Sequence, residues 1–241
     1  NALVLNGVIS GSSGLIKNGL STLTLTGSNT YLGPTALNAG GLILASNTAL
    51  GSGALNTAAG TSLDASTAVS LANAINLDGD LSIGGTQAIG LGGVINGAGG
   101  LIKNGSAALT LSGNNGYAGN TTLNAGTLVL GSNSALGLGN LTTAAGTTLD
   151  ASTAVVVNNA LTTTGNLNIG GSANLTLGAT VSGSGGLTKN GASTLTLNGA
   201  NSFIGGTTLN AGGLSVGNAS ALGSGALTVA GGSTLDSSAA V

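Results

Sequence analysis

Apolar and polar residues alternate along this chain in very short runs. Leu23-Thr24-Leu25-Thr26, Leu42-Ile43-Leu44, Ala54-Leu55-Asn56-Thr57, the neighbourhood of Leu77 and Leu81-Ser82-Ile83 each set like side chains two residues apart. A period of two belongs to a strand with one buried face. The runs close on Gly, Asn, Ser or Asp, the residues that turn a backbone. No long stripe at the helical period of 3.6 appears, and Gly is too dense for helix. The pattern predicts an all-β chain with a strand about every seven or eight residues.

The runs recur. Gly14-Leu15-Ile16-Lys17-Asn18-Gly19 returns at Gly100 and, with Thr188 for Ile, at Gly186, two steps of 86 residues. Leu23-Thr24-Leu25 returns as Leu109-Thr110-Leu111 and Leu195-Thr196-Leu197, and Ala49-Leu50-Gly51 as Ala135-Leu136-Gly137 and Ala221-Leu222-Gly223. Tyr31, Tyr117 and Phe203 keep the step, as do Lys17, Lys103 and Lys189, and Asp64, Asp150 and Asp236. The chain reads as one continuous array: units 14–99 and 100–185, an incomplete unit 186–241, and the end of a preceding unit in 1–13.

Short repeated strands fit a sandwich, a barrel or a solenoid. A sandwich wants longer strands and larger core residues. Three strands per turn of a solenoid give turns of roughly 21 residues, about four turns per repeat and about 11 in all. Stacked in parallel at ~4.8 Å, they make a rod ~50 Å long. Leu, Ile, Val and Ala then fill the interior, Thr, Ser and Asn face outward or form ladders, and Gly turns the corners.

Composition narrows the chemistry. The 241 residues hold three Lys, five acids, no His and no Cys, for a net charge of −2. Ser-His-Asp and Cys-His nucleophile systems are thereby excluded, as are the usual zinc ligands and disulfides. Three cations offer nucleic acid almost no counter-charge. Disorder is unexpected at 41% hydrophobic and 3% charged residues. No apolar run approaches the ~20 residues of a membrane helix, and 1% aromatics cannot build the girdles of a membrane barrel.

The remaining candidates read mainly as scaffold. The lysines are expected as a line of solvated turn residues with little local field, weak anion or glycan binding being the alternative. The aromatics are expected to cover a loop or cap one edge of the interior, with carbohydrate stacking as the alternative. Asp78 and Asp80 flank Gly79 as in a turn, and a surface pair between Asp80 and Lys103 is expected. Calcium-roll nonapeptides are absent. Leu-Thr-Leu-Thr comes once in about four turns, too sparsely for an ice-binding rank. The sequons at Asn104 and Asn120 do not keep the repeat register. No catalytic residue, cofactor or metal is expected.

The order Gly-Leu-Ile-Lys-Asn-Gly, Leu23 to Tyr31, Thr35 to Leu42 and Ala49 to Gly53 resembles the passenger-associated transport repeat of autotransporter passengers from Gram-negative bacteria. The resemblance covers 14–64, 100–150 and 186–236. It implies a right-handed parallel β-helix, exported to the cell surface or beyond, serving as a stalk. An adhesin contacting glycans or cells through a repeated Asn/Thr/Ser face is the alternative. Neither Ala2-Leu3-Val4-Leu5 nor the stretch Leu235 to Val241 reads as a polar cap. The array is therefore expected to continue covalently or to stack end to end on copies of itself.

Overall fold

The computed structural model describes residues 2–239, so Asn1, Ala240 and Val241 of the terminal stretches lie outside the described residues. Those residues form 29 strands of three to five residues and no helix. All recorded pairings between strands are parallel, and the coil closes in about 12 turns. Leu81 pairs with Leu101, Leu101 with Thr121, Thr121 with Leu141 and Leu141 with Leu161. A turn is thus about 20 residues, one fewer than the strand count alone suggested, and at ~4.8 Å per turn the rod is ~58 Å long.

The coil has three faces. The first is a ten-stranded sheet from Leu3–Leu5 to Val181–Gly183. The second is a nine-stranded sheet from Val69–Leu71 to Leu227–Val229. The third holds two five-stranded sheets, Leu15–Lys17 to Ile95–Gly97 and Val155–Val157 to Thr234–Ser237. Between those two, the segments around Asn115–Tyr117 and Ala135–Gly137 carry the third face without strand geometry. Gly116 N–H donates down to Ile95 O at 2.8 Å, and Leu138 N–H to Tyr117 O at 2.9 Å.

Along the strands the inward positions are buried and the middle positions are not. Leu55, Leu63, Leu101, Leu128, Leu149 and Leu195 are each fully enclosed. Branched apolar side chains stack in rows because successive turns keep register, so the interior is a single apolar column from Leu23 to Leu214. Its enclosure is the main favourable term in folding, since no disulfide supplements it.

The 86-residue repeat is not a whole number of turns. The Leu23-Thr24-Leu25 run lies in Thr22–Leu25 on the first face, its second copy in Ala108–Leu111 on the second, and its third in Thr194–Leu197 on the third. Four turns of about 20 residues leave about six over, which is one strand and corner. Each copy is therefore advanced by about 4⅓ turns, not four, and is rotated by a third of a turn relative to the last.

Turn-to-turn spacing is tight enough to demand Gly at some corners. A Cβ on Gly99 would sit 2.1 Å from Gly79 O and 2.2 Å from Gly79 C, both backbone atoms. Gly19 has nothing within 4 Å of the same position. Gly99→Ala is expected to cost about 1–3 kcal/mol through overpacking. Gly19→Ala is expected to stay within about 1 kcal/mol of the parent. Urea unfolding of the two variants checks the contrast, and equal stabilities would show that the turns can spread apart at Gly99.

Candidate functional site

Each repeat contains one place where the strand ladder lapses, and the functional-looking residues gather around it. In the first copy it comprises Asn29 to Tyr31 and, one turn above, Ala49 to Gly51. Here a tight turn replaces strand: Ala49 N–H donates to Ser46 O at 3.1 Å and Gly51 N–H to Thr48 O at 2.9 Å. Gly51 has φ +59°, and a Cβ there would lie 2.3 Å from Tyr31 O. The turn carries Ala49 and Leu50 inward, where both are fully buried.

Asn29 replaces the missing ladder with its side-chain amide. Its Oδ1 accepts the Ile9 N–H at 2.8 Å, and its Nδ2 donates to Ala49 O at 2.6 Å. Asn115 does the same between Ile95 N–H and Ala135 O, at 2.9 and 2.7 Å. Asn201 does so between Val181 N–H and Ala221 O, at 2.7 and 2.6 Å. One primary amide offers a donor and an acceptor like a peptide group, so three successive turns stay connected. From above, Asn73 Nδ2 donates to Gly51 O and Gly53 O, and Asn159 Nδ2 to Gly137 O and Gly139 O. These asparagines keep the 86-residue register. That register was the available signal for them, and composition-based reading passed them over as generic polar residues.

The aromatics fill the same break. Tyr31, Tyr117 and Phe203 are all but fully buried, so they are core residues and neither loop covers nor stacking platforms. Tyr31 Oη lies 2.5 Å from Thr35 Oγ1, and Tyr117 Oη 2.6 Å from Thr121 Oγ1. Burial raises both phenols, against the opposing effect of the threonine bond, and pushes Tyr117 up to about 12. In the third copy Phe203 has no hydroxyl, and the equivalent Thr207 Oγ1 is buried with no partner. The scaffold tolerates the missing hydroxyl but leaves a polar atom unsatisfied.

The lysines overturn the expectation of a solvated line. Lys103 and Lys189 are 1% and 0% exposed, and Lys17, near the first turn, is half-buried. They sit on three different faces, Lys17 on the third, Lys103 on the first and Lys189 on the second. Each occupies an inward position of its strand, so the period-two rule that buries leucines buries the lysine stem as well. The ammonium groups bond to backbone carbonyls. Lys17 donates to Gly19 O and, at 3.1 Å, to Ala39 O in the next turn. Lys103 donates to Gly105 O and, at 3.3 Å, to Ala125 O. Lys189 donates to Asn190 O at 2.5 Å and Gly191 O at 2.9 Å. Burial lowers the Lys103 and Lys189 values, and the Asp150 charge opposes part of this for Lys189.

The aspartates also serve the backbone. Asp64, Asp150 and Asp236 each accept the N–H of the following residue, at 2.6, 2.9 and 2.8 Å. Asp150 further accepts Gly171 N–H, Ser172 N–H and Ser172 Oγ–H one turn above. Burial pushes its carboxyl up, and these four hydrogen bonds outweigh that and hold it below the ordinary range. The expected pair between Asp80 and Lys103 does not form: Asp80 Oδ1 accepts Gly100 N–H at 2.7 Å, because Lys103 points inward.

Outside, amides and hydroxyls run in ranks. Asn38 donates to Asn18 at 2.7 Å, Asn124 to Asn104 at 2.7 Å and Asn210 to Asn190 at 2.9 Å. On the first face Thr122, Thr142, Thr162 and Ser182 align over four consecutive turns. Such a rank was not expected, because it comes from Thr-Thr and Leu-Thr-Thr runs and not from Leu-Thr-Leu-Thr. Its flanks are mixed, Asn120, Asn140, Ala160 and Thr180 on one side and Asn124, Ala144, Thr164 and Ser184 on the other.

Two predictions follow from the buried polar groups. Phe203→Tyr is expected to add about 0.5–1.5 kcal/mol by supplying Thr207 with a partner, and Tyr117→Phe to remove a similar amount. Urea unfolding of both checks the pair. The alkaline profile has two limbs. Below the ordinary lysine value of 10.5, unfolded Lys103 and Lys189 hold protons that the folded residues release, so stability rises with pH. Above the ordinary tyrosine value of 10.0, unfolded Tyr31 and Tyr117 lose protons that the folded residues keep, so stability falls. The melting temperature is expected to climb through mildly alkaline pH and turn over near pH 10, with a smaller climb in Lys103→Met. A monotonic fall from pH 8 would contradict the buried lysines.

The profile of the family described as passenger-associated-transport-repeat matches three times, at residues 15–44, 101–130 and 187–216. Three stretches of the chain are thus similar to an autotransporter passenger repeat. Each match opens on the strand that bears the inward lysine and closes at Leu44, Leu130 or Val216, shortly before the Ala-Leu-Gly turn. No curated protein and no solved structure matches the chain.

Proposed function

We propose that this chain is a stalk segment of an autotransporter-like passenger, a non-catalytic rod at or beyond the bacterial surface. The observation that supports this most directly is the use of the lysines and register aspartates. Lys17, Lys103 and Asp150 bind groups of adjacent turns, Lys189, Asp64 and Asp236 bind the backbone of their own turn, and the lysines lie on three different faces rather than in one cleft. The residues a catalytic or binding centre would draw on are occupied in bonding to the backbone of the coil. The transport repeat supplies the expected location.

A second reading, a lateral adhesin, is favoured by one observation, the aligned hydroxyls of Thr122, Thr142, Thr162 and Ser182. Such a file suits a neutral glycan, each contact being weak and many acting together.

Beads densely coated with the full chain separate the two. The stalk is expected to show no saturable capture on a glycan array or on cells. In parallel, the chain placed between an epitope tag and an outer-membrane anchor is expected to display the tag to antibody on intact cells. Saturable glycan capture that is lost in Thr142→Val with Thr162→Val would replace the stalk by the adhesin. Failure to display the tag would remove the passenger assignment.

A further inference from the structure

Each repeat has one ladder break, and the three breaks fall on three different faces. Asn29–Tyr31 with Ala49–Gly51 lies on the second face, beneath Val69–Leu71. Asn115–Tyr117 with Ala135–Gly137 divides the third face between Ile95–Gly97 and Val155–Val157. Asn201–Phe203 with Ala221–Gly223 lies on the first face, above Val181–Gly183. Every break is therefore flanked, at its own level, by two faces in continuous strand.

We propose that the 86-residue period is a phasing device that prevents a seam. With a period of exactly four turns, every break would fall on one face. Two of every four turns on that face would lack strand, leaving two-stranded pieces between breaks. Two strands alone are marginal, and on their far sides they would meet only non-strand segments held by bonds such as Gly116 N–H to Ile95 O and Ile95 N–H to Asn115 Oδ1. In a solenoid held by nearest-neighbour contacts, such a line of weakness would run the length of the rod. The extra third of a turn instead returns a break to the same face only after about 13 turns. At that spacing no face is broken more than once in about 13 turns, and the three faces hold sheets of ten, nine and twice five strands. The inference goes beyond the stalk reading and holds for the rod wherever it is displayed.

Two deletions in the full chain test it. Removing residues 81–100 takes out one whole turn, joining Asp80 to Leu101 in the existing register, and leaves the rotation between breaks unchanged. Removing residues 89–94 takes out only one strand and corner, and sets Ile95 above Val69. That moves the second break onto the face of the first, with only 69–71 and 95–97 between them. The smaller deletion is expected to be the more harmful. Amide protection at 69–71 and 95–97 should fall by roughly 100-fold or more relative to the 81–100 deletion, with the other two faces less affected. Replacing 89–94 by a second copy of 69–74 restores the phase and should restore protection. Equal protection in the two deletions, failure of both to fold, or no recovery in the replacement would overturn the proposal. Display of the tagged rod is read separately, so loss of the stalk reading leaves this outcome unchanged.

Discussion

Each turn of this protein must present its backbone N–H and C=O groups to the turns below and above, and nearly every other feature answers to that requirement. A parallel ladder leaves no freedom in register: shifting one turn by one residue would reverse the inward and outward sides of all its strands. Corners must then be close enough for turns to stack, which sets Gly where a Cβ would strike backbone, as at Gly99. Where the chain departs from strand to bring in Ala49 and Leu50, the ladder is completed by an asparagine amide instead of a peptide. An orphaned buried N–H or C=O costs about as much as a lost hydrogen bond, so a break without Asn29 would weaken three turns at once.

The same requirement accounts for charge inside an apolar column. A bare ammonium in such a place is heavily penalised, and no carboxylate lies within bonding distance of Lys103 or Lys189 among the described residues. Corner carbonyls supply the solvation that water would have given. Lys103 in turn ties Gly105 of its own corner to Ala125 of the next turn, and Lys189 binds Asn190 and Gly191 of its own corner. Burial lowers the Lys103 pKa, as expected for an ammonium withdrawn from water.

The strand pattern and the solenoid were legible because Leu-Thr-Leu and Leu-Ser-Ile carry the period of two on their surface. The repeat was legible too, but not the ladder break that recurs within it. Nor was the phase of the repeat. A strand every seven or eight residues gives a turn of 21 or so, and 86 then looks like four turns. Only the measured register of about 20 residues exposes the remaining third. Lysine burial was hidden for a different reason. Residue type argued for solvent, whereas position argued for the interior, since Lys17, Lys103 and Lys189 stand two residues after an inward Leu. Position prevailed because the long stem packs like an aliphatic chain while its tip reaches a corner. For Tyr31 and Tyr117 the signal was their spacing of four from Thr35 and Thr121, which reads as a hydrogen-bonded pair only once both are known to face inward.

Rotation of the repeat bears on function as well as on stability. A ligand approaching from one side meets a given repeat position in only one copy of three, because the next two copies turn it away. A rod that used a repeated lateral site for avidity would gain most from a whole-turn period, with all its sites on one side. This chain does the reverse, and the hydroxyl rank of Thr122, Thr142, Thr162 and Ser182 is replaced at the preceding repeat by Ala36, Asn56, Asn76 and Asn96 on a different face. Loss of azimuthal alignment costs a stalk nothing, since a spacer is judged by its length and continuity. The phase of the repeat, no less than the fate of its lysines, therefore favours a mechanical role over a lateral binding one.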